Sequence, residues 1–125
     1  MKKVFIVLFT LLGIVAHNNK AQAQDVHKIA PTMYKVLADT LGLRVMEATY
    51  KPGDSSTMHK HPDFAMYVLS GGTVELTNSN GVKQVVEFAT GMGVVLPGES
   101  HTAKNIGQTV LKLIVVEARR PKQVQ

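Results

Sequence analysis

Turn-forming residues cut this chain into short pieces, and that division limits the possible folds more than any other feature. Apolar or alternating runs at Met33 to Leu37, Leu41 to Tyr50, His59 to Leu69, Thr73 to Thr77, Val82 to Phe88, Val94 to Leu96 and Val110 to Val116 are separated by clusters of Gly, Pro, Asn, Asp and Ser. None has the length and period of a helix. Short strands in regular succession without helices imply an all-β sandwich or barrel. Asn78-Ser79-Asn80-Gly81 contains the Asn-Gly pair that favours a hairpin between Thr77 and Val82. The run Val110 to Val116 is apolar enough for burial on both faces. Gln24 to Pro31 reads as a loose polar arm, and Arg119 to Gln125 as a polar tail.

Residues 1–23 have the pattern of a cleavable signal peptide. Lys2 and Lys3 precede the apolar stretch Val4 to Ala16, and Ala21-Gln22-Ala23 offers the small-x-small site for cleavage. The apolar stretch is shorter than the ~20 residues of a membrane span. The expectation is export to the periplasm or medium, with no stable membrane insertion after cleavage. Of the 125 residues, 102 then remain as residues 24–125, enough for a single domain with its core between about 33 and 118. Losing Lys2, Lys3 and Lys20 lowers the formal charge from +5 to +2. No basic stripe remains that would suit nucleic acid. The chain has no cysteine, which excludes thiol chemistry, thiolate ligands and disulfides. A small exported domain without disulfides favours a closed or sandwiched β structure, and a homodimer is expected.

Four histidines lie beyond the leader, and His27 is set aside as part of the polar arm. His59 and His61 are two apart, so in an extended strand both rings face one way. Pro62 supports extended geometry at His61. His101 stands at the start of a later strand and could add a third imidazole. Three histidines form a known ligand set for a metal with open positions. Neutral imidazole suits zinc, iron, copper or nickel without choosing among them.

These residues resemble the cupins. Gly53, five residues, His59, Lys60, His61 and the later Gly72 follow that family's first motif. Gly91, five residues, Pro97, Gly98, Glu99, Ser100, His101, three residues and Asn105 follow the second. The resemblance spans residues 53–105. It implies a cupin-like β-barrel of the jelly-roll or double-stranded β-helix type, with a divalent ion (iron, manganese, nickel or zinc) held by His59, His61 and His101. The family's usual site adds a glutamate from the first motif. Counting back from Gly72 puts that place at Ala65, between Phe64 and Met66, and some cupins work with three histidines alone. The second motif is one residue shorter than usual between Pro97 and His101. Asp63, in the turn of the first motif, is the one carboxylate that could substitute for that motif's glutamate, and it is read first as facing water or capping its turn.

Two functions follow as alternatives. One is a metal-dependent oxygenase or isomerase acting on a small anionic or sugar-like molecule. The other is a non-catalytic barrel that binds a small ligand through a degenerate, metal-free site. Met46, Met58, Met66 and Met92 read as core filler rather than copper ligands, and Tyr50 and Tyr67 as packing. Glu99 reads as solvated, and Glu47, Glu75 and Glu87 as facing outward.

Overall fold

The computed structural model describes residues 25–120. The expected leader therefore lies outside the described residues. A single helical turn, α1 (Val26–Ile29), precedes nine strands: β1 (Tyr34–Thr40), β2 (Leu43–Tyr50), β3 (His59–His61), β4 (Phe64–Ser70), β5 (Gly72–Asn78), β6 (Lys83–Phe88), β7 (Gly93–Leu96), β8 (Glu99–Asn105) and β9 (Leu111–Ala118). Five form one sheet in the order β1-β2-β9-β4-β7, and four form a second in the order β3-β8-β5-β6. All neighbours are antiparallel. The result is the expected all-β arrangement of two facing sheets.

The two sheets contribute unequally to the interior. Strand alternation turns Met46, Ala48 and Tyr50 of β2, Phe64, Met66 and Val68 of β4, and Leu111, Leu113 and Val115 of β9 inward, where they are buried. The four-stranded sheet adds only Val74 and Ala103 to the buried apolar core. Its other buried inner positions carry His59, His61 and Asn105. The five-stranded sheet thus supplies most of the hydrophobic stabilisation, and the four-stranded sheet supplies the polar site.

Three expectations are corrected. The run His59 to Leu69 is two strands in different sheets, broken at Pro62-Asp63. Proline has no N–H for a ladder, and here the chain crosses from one sheet to the other. The crossing is held by Gly98 N donating to Asp63 Oδ1 (2.8 Å) and Ala118 N donating to Asp63 O (2.8 Å). Gly98 passes so close that a Cβ there would sit 3.0 Å from the His61 carbonyl oxygen. The last strand is buried on one face only, because Lys112, Ile114 and Val116 alternate outward to the half-covered side. Nor is the arm at Asp25 to Ala30 loose. Val26 and Ala30, four apart and so on one side of the helical turn, are both buried.

The hairpin between β1 and β2 has a local conflict. Thr40 pairs with Leu43, leaving Leu41 and Gly42 as a two-residue turn with φ of 54° and 73°. Positive φ at both central residues is the type I′ pattern, which favours Asn-Gly. Leu41 is 77% exposed, so it gains little burial in return for this geometry. Leu41→Asn is expected to raise stability by about 1 kcal/mol, read as a higher urea midpoint at unchanged slope. A lower midpoint would show that Leu41 packs usefully.

Candidate metal centre

The three histidines that the sequence singles out meet at one end of the barrel. His59 and His61 lie on the inner face of β3, both buried, with the exposed Lys60 between them. His101 on β8 is the direct cross-strand partner of His59. One imidazole nitrogen from each of the three lies within 4.8 Å of the others. Ring centroids are 4.8 Å apart for His59 and His61, 4.7 Å for His59 and His101, and 5.2 Å for His61 and His101.

Hydrogen bonds decide which nitrogen each ring presents. His59 Nδ1 lies 2.8 Å from the Thr57 carbonyl oxygen, His61 Nδ1 2.8 Å from Glu117 Oε1, and His101 Nδ1 2.7 Å from Glu99 Oε1. A carbonyl or a carboxylate can only accept, so each Nδ1 donates and each neutral ring keeps its lone pair on Nε2. The Nε2 of His59 is buried without a hydrogen-bond partner, the sole such side-chain atom among the described residues. Orphaning a buried polar atom costs about 1–3 kcal/mol. A cation among three lone pairs removes that cost, so the residues present fit a divalent ion.

The ring environments agree. Burial pulls His59 down from 6.5 to about 3, against the opposing hydrogen bond to Thr57 and with the help of the two neighbouring rings. Burial also lowers His101, reinforced by His61 and opposed by the Glu99 carboxylate. Both rings are therefore neutral near pH 7, as metal ligands must be.

The carboxylates near the centre differ from the sequence expectation. Ala65 is not an inward place, because Phe64 and Met66 on either side of it face the interior and alternation turns Ala65 outward. Phe64 packs its ring 4.9 Å from that of His61. Asp63 caps the sheet crossing through Gly98. Glu99 does not simply face water, since it lies opposite His61 in the ladder and orients His101. Glu117 was not legible as a site residue, although it is 3% exposed and orients His61. It lies one inward step beyond Val115, so extending the alternation of β9 by two residues would have found it. His27, set aside in sequence, stays outside the centre and contacts Arg44 (3.1 Å).

A cavity of about 390 Å³ opens beside His101, lined by Leu76, Asn78, Gln84, Glu99 and Ser100. The His101 side chain is 12% exposed, whereas His59 and His61 are sealed inside. Tyr34 closes the interior behind His59, its ring 6.0 Å away and its hydroxyl 2.9 Å from that of Tyr50.

Comparison with known proteins agrees with this architecture. A cupin domain family model matches residues 46–117, more than half of the chain. This chain belongs to the cupin family. Its structure is similar to a cupin domain from Bordetella pertussis Tohama I, with a TM-score of 0.65 at 21% identity over 70% of this chain and 93% of that one. It is also similar to a protein with a double-stranded β-helix domain from Klebsiella pneumoniae, with a TM-score of 0.56 at 24% identity over 72% and 79%. At these identities the likeness concerns the fold. No curated protein sequence matches the chain.

The lowered histidines make a signed prediction for the metal-free protein. Well above pH 6.5, His59 is neutral folded and unfolded, so it contributes no pH dependence there. Between 6.5 and about 3 the unfolded chain binds a proton that the folded one excludes, so stability falls as pH falls. The slope per such group approaches about 1.4 kcal/mol per pH unit, with His101 adding in the same direction. Urea midpoints of chelator-treated protein at pH 7 and pH 5 should show the loss, and His59→Gln should reduce it. An equal pH dependence in that variant would mean that other groups govern acid stability.

Proposed function

We propose that this chain is an exported cupin that holds a divalent ion on His59, His61 and His101 and presents it to a small polar ligand at the barrel mouth. The observation that carries this reading is that one ring nitrogen from each of the three histidines lies within 4.8 Å of the others, while each Nδ1 is engaged by an acceptor and His59 Nε2 is buried and unpartnered. A bound ion would supply Lewis acidity and a site for activating oxygen or water. That chemistry suits an oxygenase or isomerase acting on a small anionic or sugar-like molecule. Asn78, Gln84 and Ser100 offer amides and a hydroxyl to such a ligand. The carboxylates beside His61 and His101 offset part of the ion's charge, so a neutral polyhydroxylated ligand suits the site as well as an anion.

One observation favours a binding module over an enzyme. Glu99 and His101 are the titratable residues lining the cavity, and they are tied to each other at 2.7 Å. Neither is poised for proton transfer to a ligand while that bond holds.

Metal analysis of the exported protein, with His59→Ala/His61→Ala beside it, tests the reading. Near-stoichiometric metal in the parent and none in the variant is expected. Absence of metal from the parent, even after incubation with Fe(II), Mn(II), Ni(II) and Zn(II), would leave the metal-free binding barrel. Oxygen uptake by the Fe(II) form over a panel of small acids and sugars then separates enzyme from binder.

We also propose a homodimer formed through the outer face of the five-stranded sheet. The register aligns Ala38, Val45, Val116, Ala65 and Val95 in one apolar row across all five strands. Val95 is 81% exposed. The row behind it carries Lys35 and Glu47, with Lys112 3.9 Å from Glu47, so a two-fold axis can set apolar on apolar and Lys against Glu. Val95→Lys should shift the protein to monomer in sedimentation analysis without unfolding it. A persistent dimer would place the contact elsewhere.

A further inference from the structure

The geometry points to Glu117, braced by Arg44, as a positioning residue that tightens the metal centre through His61. This inference rests on the three-histidine reading above and concerns the layer behind it. Glu117 and the His61 side chain are each 3% exposed, and their 2.8 Å hydrogen bond lies inside the barrel. The bond leaves His61 one neutral tautomer and fixes its ring beside those of His59 and His101, whose centroids are 4.8 and 5.2 Å away, with Nε2 as its free lone pair. A carboxylate is also a stronger acceptor than the carbonyl that serves His59, because its bond is charge-assisted. As a bound cation draws electron density from the ring, the Nδ1 proton grows more acidic and this bond strengthens. Ion binding and the Glu117 contact therefore reinforce each other.

Arg44 explains why a carboxylate can occupy such a place. It is 7% exposed on the inner face of β2, with Nη1 3.9 Å from Glu117 Oε2. Asp39 engages it twice, at 2.9 Å through Nε and 2.8 Å through Nη2, and Asp25 stands 3.5 Å away. The guanidinium is thus held from the β1 edge and from the N-terminal turn, and it holds Glu117 in turn. The first motif contributes no inward carboxylate, since Phe64 and Met66 face the interior. β9 supplies one instead, a layer behind the ligands, where it adds negative charge and orientation without occupying a coordination position.

The test uses the exported protein and Co(II) or Zn(II) as the probe. Glu117→Gln keeps the shape and removes the charge. Chelator competition should show a metal Kd raised 10- to 100-fold, and the visible spectrum of the Co(II) form should change. Glu99→Gln, at a partly exposed carboxylate, should have the smaller effect. Because Glu117→Gln removes one of the buried charges around Arg44, which keeps Asp39 and Asp25, and could still lower stability, Arg44→Met/Glu117→Gln removes both charges and should show the same loss of affinity. An unchanged Kd and Co(II) spectrum in either folded variant, even with a lowered Tm, would make Glu117 merely structural and overturn the inference. Failure of the parent protein to bind either ion would instead overturn the three-histidine reading beneath it.

Discussion

An imidazole that donates its Nδ1 proton has only Nε2 left as an acceptor, and three such rings face one another inside this barrel. The rest of the structure accommodates that arrangement. Three polar rings displace apolar side chains from the inner face of the four-stranded sheet, so the buried core comes mainly from β2, β4 and β9 opposite. Each ring also needs an acceptor, and each finds one in a different element: the loop before β3, the end of β9 and the start of β8. The centre is therefore assembled by the closed fold, and no single hairpin contains it.

The sheet crossing at Pro62 is what makes that assembly possible. β3 carries its two histidines in one sheet, and two residues later β4 begins in the other. The chain thereby brings Phe64 against His61, and β9, next to β4, brings Glu117 against the same ring. Gly98 and Asp63 tie the crossing to the turn that precedes His101. The backbone that positions the third histidine thus also braces the first two.

Much of the fold was legible because strands declare themselves through alternation and turn chemistry. The runs at β2, β5, β6 and β9 fall close to their positions in sequence, and Asn78 to Gly81 closes the expected hairpin. The histidines were legible for the same reason, since residues two apart on a strand share a face. Three features were not. The count to Ala65 ignored which side of β4 faces inward. The polar look of Asp25 to Ala30 hid two buried residues on one helical face. Glu117 looked like the charged end of a strand, and its partners His61 and Arg44 lie 56 and 73 positions away in the chain.

The sequence by itself determined what short-range rules can specify: strand periodicity, turn sites, the shared face of His59 and His61, and the cupin motif spacing that links them to His101. Only the tertiary structure decided the tautomers, the orphaned Nε2 of His59, the source of the interior carboxylates and the burial of Arg44. The physical reason is that hydrogen-bond partnership and desolvation depend on which distant strands pack together. A glutamate at a strand end has the same local sequence signature whether it meets water or, as Glu117 does, an imidazole inside the barrel.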